Sequence, residues 1–302
     1  MTRLPSVGVV VPTRDRPHEL RAALAAIDAQ DYAGDIEVVV VFDQADPDLS
    51  LADGHRVRVL ANDRAPGLAG ARNSGILALD TDLVAFCDDD DTWLPAKLTS
   101  QVKALTAAQG AEFASCGIAV RSGGRTSYRT VGRAQVSYQD LLRSRMVMVH
   151  SSTYLASRAA LLGGIGLVDE SIPASQNEDW DLALRAARRR PILNVDEPLV
   201  LVRWGDGSFY AQQWESKIAG LRWMLDHHPD IAATGPGAAR VYAQIAFGYA
   251  CLGRRGEASR WAARALRRNW HERRVPFVIA VASGAVSGER LLHALHSRGH
   301  GI

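Results

Sequence analysis

Four consecutive carboxylates, Asp88 to Asp91, close an apolar run in Phe86-Cys-Asp-Asp-Asp-Asp-Thr-Trp93. Packing that charge at a strand end costs repulsion and desolvation unless a cation is supplied, and hard divalent ions such as Mg2+ or Mn2+ choose oxygen ligands. The carboxyl end of a parallel strand is also where open α/β sheets bind ligands. A solvated acidic turn would carry the same letters. Upstream, Ala65-Pro-Gly-Leu-Ala-Gly-Ala-Arg-Asn-Ser-Gly75 opens a helix with Gly67, Gly70 and Gly75, which permit tight turning and close backbone approach. Its Arg72 offers a fork for phosphate or aspartate, and Asn73 an amide that both donates and accepts. A capped helix with a packing glycine is the plainer reading. Asp43 ends an apolar run, where acidic residues of nucleotide folds accept from ribose or base, though a turn aspartate fits equally. Thr13-Arg14-Asp15-Arg16 follows the first apolar run and puts polar donors on the same edge. A second carboxylate group, Asn177-Glu-Asp-Trp-Asp181, precedes a helical pattern, where acids are also favoured by the helix dipole.

A scaffold must bring these segments together. Apolar runs rich in Val and Ile alternate with segments of helical period, which predicts an α/β fold with a parallel sheet flanked by helices. Strands are expected at Val7–Val11, Ile36–Phe42, His55–Leu60 and Leu83–Cys87, separated by helices at His18–Ala29 and Leu68–Leu79 and followed by one at Pro95–Ala108. Next come a strand at Glu112–Arg121, a polar hairpin or mobile loop through Arg133, a strand near Ser152–Ala156, a helix at Asp179–Arg190 and a strand at Pro191–Val195. Trp204-Gly-Asp-Gly207 breaks the pattern, so the domain boundary is drawn at 208, with 1–208 as the α/β domain and 209–302 as a helical C-terminal domain. Within the latter, Val241–Leu252 and Glu257–Arg268 flank Gly253-Arg-Arg-Gly256 like a tetratricopeptide hairpin.

Composition narrows the classes. With 302 residues, 47% apolar and 23% charged, the chain is expected to pack rather than stay disordered. A formal charge of +2 gives no general nucleic-acid binder, so no nucleic-acid partner is expected. Three of the basic residues, Lys97, Lys103 and Lys217, are lysines, and the rest are arginines. Cys87, Cys116 and Cys251 are odd in number and in no metal-ligand spacing, which predicts a reducing compartment. The N-terminal segment lacks the long apolar region of a signal peptide, and Val275–Val286 is too short to span a bilayer, so a cytoplasmic location is expected. Arg254–Arg274 holds eight arginines and two acids, a pattern suited either to a solvated helical face or to peripheral contact with an anionic membrane.

In order along about the first 205 residues, the motifs resemble the family 2 glycosyltransferases, nucleotide-sugar enzymes of GT-A fold. Members open with a strand and a Pro-Thr-Arg-Asp-Arg-like loop, matched by Pro12 to Arg16, and close the second strand with an aspartate, matched by Asp43. Gly-x-x-x-Ala-Arg-Asn-x-Gly is matched by Gly67 to Gly75, and Asp-x-Asp-Asp-x-Trp by Asp88 to Trp93. The family's later Glu-Asp pair is matched by Glu178-Asp179, and the arginine on the same helix by Arg185. Phe42-Asp43-Gln44-Ala45 stands where members often carry Asp-Asp-Gly-Ser, and Arg203-Trp204-Gly205 where many place a histidine.

The resemblance implies a GT-A, doubly wound, mostly parallel sheet and metal-dependent inverting transfer of a hexose-like sugar to an acceptor hydroxyl. The acceptor would be a glycan, a lipid-linked sugar or a natural product. It assigns nucleotide-sugar binding to Pro12, Thr13, Arg14, Arg16, Asp43, Gly67, Arg72, Asn73, Asp88, Asp89 and Asp90. Mg2+ or Mn2+ on Asp90 and Asp88 would neutralise the departing diphosphate. Asp179 would take the acceptor's proton, with Glu178 or Arg185 orienting it or binding the acceptor. Trp180 and Trp93 either stack on sugar faces or pack in the core. His150, in His150-Ser-Ser-Thr153, precedes a strand at the family's acceptor side and is a candidate for the acceptor pocket. Two rivals remain at this point. Asp88-Asp-Asp-Asp-Thr92 also reads as the nucleophile loop of haloacid-dehalogenase-like phosphatases, and a non-catalytic scaffold would use the fold to present its helical C-terminus.

Overall fold

Seven buried residues in a row, Val7–Thr13 (β1), form the centre of a ten-stranded sheet. This computed structural model describes residues 3–52, 56–122, 124–203 and 213–296. After β1 come α1 (Pro17–Asp28), β2 (Ile36–Phe42), β3 (Val57–Ala61), α2 (Leu68–Ala78) and β4 (Leu83–Phe86). β5 (Thr92–Trp93), α3 (Lys97–Ala107), β6 (Phe113–Ser122), β7 (Arg125–Arg129), β8 (Gln135–Val136) and α4 (Tyr138–Arg143) follow. Then the chain forms β9 (Leu155–Ser157), α5 (Arg158–Leu162), α6 (Glu178–Arg189) and β10 (Ile192–Arg203). The sheet runs β3-β2-β1-β4-β9-β6-β10-β5, with β7 beside β6 and β8 beside β10. β1, β2, β3 and β4 are mutually parallel, as are β6 and β10, while β9 lies antiparallel between β4 and β6.

The valine runs follow from burial on both faces of a helix-covered sheet. With successive side chains pointing to opposite faces, Val9, Val11, Val38 and Val40 pack with Leu20 and Ile27 of α1 and Val102 and Leu105 of α3. Val10, Val39 and Val41 pack on the other face with Ile76 of α2 and Leu184 of α6. At the end of the glycine motif there is no room for a side chain: a Cβ on Gly75 would stand 2.3 Å from Val10 Cγ1, so α2 can lie on β1 only with glycine there.

From Trp214 onward the described chain is helical: α7 (Trp214–His227), α8 (Pro229–Ala233), α9 (Gly235–Cys251), α10 (Arg255–Arg268), α11 (Val275–Ala282) and α12 (Gly288–His296). α9 and α10 form the expected hairpin, turning at Gly253 with a φ of +71°. Ile218 of α7 and Phe247 of α9 belong to the same buried cluster as Leu141 of α4 and Trp180 of α6, so these helices share a core with the α/β part. The expected break at Trp204–Gly207 and the boundary at 208 lie outside the described residues.

Two expectations need correction. Ser152 and Thr153 are not in a strand; Ser151–Thr153 is a short 3-10 turn and the strand begins at Leu155. The strand expected to stop at Val195 continues to Arg203, with register shifts at Val195, Pro198 and Val200. Asp196-Glu197-Pro198 interrupts the apolar letters at this bulge, which is how a polar triplet hides a continuing strand.

Candidate active site

The carboxylates sit where four parallel strands end. Thr13 closes β1, Asp43 follows β2, Asn62 follows β3 and Cys87 to Asp91 follow β4. Because β9 is antiparallel to β4, it delivers the turn preceding it to that same edge. Ser151 Oγ donates to Asp88 Oδ2 at 2.8 Å, and Asp88 N donates to Ser152 Oγ at 2.9 Å.

The four aspartates have different surroundings. Thr13 Oγ1 donates to Asp89 at 2.8 Å, and Arg16 Nη1 donates to Asp89 at 3.1 Å and to Asp90 at 2.6 Å. Burial pushes Asp89 up to about 6, and burial with the charge of Asp88 also raises Asp90. Asp91 N donates to Asp88 O at 3.1 Å, a turn that folds Asp91 back beside Asp88. Asp91 is only 3% exposed, and its Oδ2 is buried with no hydrogen-bond partner among the described residues. Burial and the adjacent Asp88 charge hold it well above the ordinary carboxylate range. His150 completes the group, with Nδ1 3.6 Å from Asp91 Oδ2 and Nε2 3.9 Å from Asp88 Oδ2.

One ligand atom from each of Asp88, Asp91 and His150 lies within 4.8 Å of the others. Hard oxygens, an imidazole and a buried carboxylate oxygen lacking a partner are a donor set that fits a divalent cation. The structure thus gathers Asp88 with Asp91 and His150, whereas Asp90, expected as the metal partner, is engaged by Arg16.

Arg72 links this edge to the second carboxylate group. It is 2% exposed; Nη2 donates to Asp88 at 2.6 Å and Nη1 to Glu178. Burial pushes Glu178 up to about 7 against the pull of Arg72. Burial would also raise Asp88, but Arg72 holds it below the ordinary range. Asp179 is buried too, and Arg145 Nη2 donates to both its oxygens at 3.0 and 2.8 Å. That guanidinium outweighs burial and keeps Asp179 low. α6 enters the site through a sharply turned segment in which Ala174, Ser175 and Asn177 all have positive φ, between +50° and +71°. Such backbone costs free energy and persists only where surrounding contacts impose it.

Other candidates hold the frame. Asp43 accepts from Asn62 Nδ2 at 2.8 Å, Gln44 Nε2 at 3.0 Å and Gly67 N at 2.9 Å, which ties the glycine turn to β2. Gly67 has a φ of +115°, a value glycine adopts without strain. Asn73 donates to Val168 O at 2.8 Å and Glu170 at 2.7 Å, and accepts from Val168 N at 2.9 Å. Pro12 is buried within β1, and Arg14 Nε lies 3.8 Å from Asp15.

Three residues expected on the acceptor side are elsewhere engaged. Arg185 donates to Asp181 at 2.8 Å and to the carbonyls of residues 165 to 167. Trp180 is buried and donates to Leu141 O at 3.1 Å, while Trp93 is buried, donates to Ser152 O at 3.1 Å and carries Lys97 Nζ 3.9 Å from its ring centre. Packing therefore decides both tryptophans. Arg203 ends β10, and Trp204 and Gly205 lie outside the described residues. Sequence reasoning passed over Arg145 and Glu170, which no motif marks, and did not separate Asp91 from its run. For Asp91 a signal existed, since residues three apart in a tight turn meet.

The model of the family described as glycosyl transferase family 2 matches residues 8–161. The chain is 30% identical over 104 residues to a UDP-Glc:alpha-D-GlcNAc-diphosphoundecaprenol beta-1,3-glucosyltransferase of Escherichia coli, covering 33% of this chain and 40% of that protein. It is 28% identical over 120 residues to a GalNAc(5)-diNAcBac-PP-undecaprenol beta-1,3-glucosyltransferase of Campylobacter jejuni, covering 37% and 38% respectively. The matched stretches thus span well under half the length of these relatives. Among solved structures, Staphylococcus aureus TarS 1-349 in complex with UDP-GlcNAc superposes with a TM-score of 0.61 at 14% identity, over 98% of this chain and 92% of that one. The Pyrobaculum calidifontis mannosyltransferase PcManGT, in complex with GDP-Man and Mn2+, gives 0.53 at 21% identity, over 97% and 80%. Those two likenesses show the GT-A fold, and the family model, which takes in half of the sequence from β1 through α5, shows that the chain belongs to the family 2 glycosyltransferases.

Proposed function

We propose that this chain transfers a sugar from a nucleoside-diphosphate sugar to an acceptor hydroxyl with inversion at the anomeric carbon. The observation that carries the reading is Arg72, which bonds Asp88 and Glu178 and so sets the Asp-rich strand end against the start of α6, where Asp179 lies. Asp179 is ionised at neutral pH and accepts the proton of the attacking hydroxyl. Glu178, through Arg72, fixes that helix start against the donor side. The β1 loop with Thr13 and Arg16, Asp43 and the Gly67 turn frame the nucleotide at the strand ends. Asp88 and Asp91, with His150, are the residues that would hold a divalent cation, which when bound neutralises the charge of the leaving diphosphate.

A lipid-linked sugar is the acceptor class favoured, because both curated relatives described above are named for undecaprenol-diphosphate-linked substrates. Such an acceptor lies at a membrane, and no helix among the described residues is long and apolar enough to cross one. Peripheral contact at the cytoplasmic face through Arg254–Arg274 suits this, since Trp270 in that segment is 75% exposed among exposed arginines. The phosphatase reading has less support: Asp88 is engaged by Arg72 and Ser151, and the nearby Lys97 is fully buried against Gln101 and Trp93. A pure scaffold has no use for buried carboxylates held above their ordinary range.

The test is Asp179→Asn. Transfer should fall by about 10²- to 10⁴-fold, the usual contribution of a positioned base, with Mn2+-dependent nucleotide affinity retained. Wild-type turnover in this variant would refute the assignment of the base.

A further inference from the structure

Beside Asp179, a cleft opens between the end of α4 and α9, lined by Arg143, Ser144, Arg145, Asn177, Trp180 and Arg240 among others. Its interior volume is about 30 Å³, room for about two water-sized groups and too little for a sugar ring. Arg145 faces both places: it bonds Asp179, and its Nη1 donates to Asn177 on the cleft wall at 3.2 Å. Arg240 has no carboxylate within ion-pair distance among the described residues; Nη1 donates to Ser144 Oγ at 2.8 Å, and Nε is buried with no partner among those residues.

Neighbouring charges make this more costly. Burial first, then the charge of Arg274 and to a smaller extent that of Arg145, bring Arg240 down to about 10, and Glu272 opposes them. Glu272, the acid that opposes them, is already engaged by Arg274 at 2.7 Å, and Arg145 is itself taken by Asp179. Arg143, Arg145 and Arg240 therefore line a cleft whose described lining includes no carboxylate. A partly buried cation without a counter-ion destabilises a fold, so folding does not account for Arg240. A planar fork on the wall of so small a polar space can take two oxygens of a phosphate seated at its mouth.

We propose that this cleft is a phosphate site and that the phosphate belongs to the sugar acceptor. The proposal rests on Asp179 being the general base, since an acceptor held here by its phosphate presents its hydroxyl to the adjoining carboxylate. The donor's diphosphate belongs at the other end of the Arg72 bridge, at Asp88, which leaves the Arg240 cleft to the second substrate.

The experiment has two arms, both on the full chain. Pyrophosphate is titrated calorimetrically without divalent metal into wild type, Arg240→Gln and Arg240→Lys. Arg240→Gln should bind about tenfold or more weakly, as expected for a lost charge-assisted bond. Arg240→Lys should recover part of the affinity, and the melting temperature of Arg240→Gln should not fall, because an unpaired charge is removed. Unchanged pyrophosphate affinity in a folded Arg240→Gln overturns the site. The second arm compares KM for a short-chain prenyl-diphosphate-linked N-acetylglucosamine with KM for its octyl glycoside. A rise of about tenfold for the phosphorylated acceptor alone supports the assignment. An equal change for both acceptors overturns it and leaves a site for free phosphate. Absence of any transfer or nucleotide-sugar hydrolysis by the wild type would sink the transferase reading instead, with the pyrophosphate titration still reporting on the cleft.

Discussion

Replacing Arg72 with methionine removes the cation that bonds both Asp88 and Glu178 while keeping most of the buried volume. Arg72 is 2% exposed and Glu178 6%, so Glu178 cannot recruit water in its place without opening the site. Leaving a buried charge unpaired costs about 3–5 kcal/mol. For 302 residues the unfolding entropy near the melting point is about 0.6 kcal/mol/K, so the loss corresponds to about 5–8 °C. The pH dependence has a definite sign. Glu178 already stands at about 7, above its unfolded value of 4.5, so the stability its proton contributes is present at low pH and disappears as pH rises through about 7. Without Arg72 that value climbs further, so the deficit should be largest at pH 8 and shrink by pH 5.5. Thermal melts followed by circular dichroism at both pH values measure it, with Arg72→Met/Glu178→Gln as the second variant. The double variant should recover a large part of the loss at pH 8, because one stranded charge is gone. A single variant that melts within 1 °C of wild type, or a double variant no better than the single, would refute the view that Arg72 holds two otherwise costly carboxylates together.

Asp91→Asn should weaken Mn2+ binding at least tenfold, whereas Asp90→Asn should change it less, since Asp90 is engaged by Arg16; metal titration by calorimetry tells them apart, and a larger effect at Asp90 would return the clamp to the Asp88 and Asp90 pair. Lys97 is fully buried and its pKa falls from 10.5 to about 8, so its charge opposes folding below pH 8. Stability should therefore rise from pH 8 to 10.5 by about 3 kcal/mol more in wild type than in Lys97→Met, read from urea midpoints, and parallel profiles would show that burial does not disfavour the charge.

How much of this was legible depends on whether one residue's letter carried the reason for its place. The valines of β1 and β2 were legible because both faces of those strands are buried, which leaves an unbroken apolar run. The aspartates after β4 were legible for the opposite reason: folding has no use for four adjacent carboxylates, so the letters pointed past stability to a ligand. Arg145, by contrast, bonds Asp179 across 34 residues of chain, and nothing in Arg143-Ser-Arg145 encodes that distance. The same holds for His150, whose meeting with Asp88 depends on β9 entering the sheet antiparallel beside β4. Arg72 shows how the two kinds of information combine. Its motif marked it as a fork able to take phosphate or aspartate, and the topology decided that it takes Asp88 and Glu178. Among the described residues Arg240 has no ion-pair carboxylate, and a partly buried guanidinium in that position is where an anionic substrate has most to gain by binding.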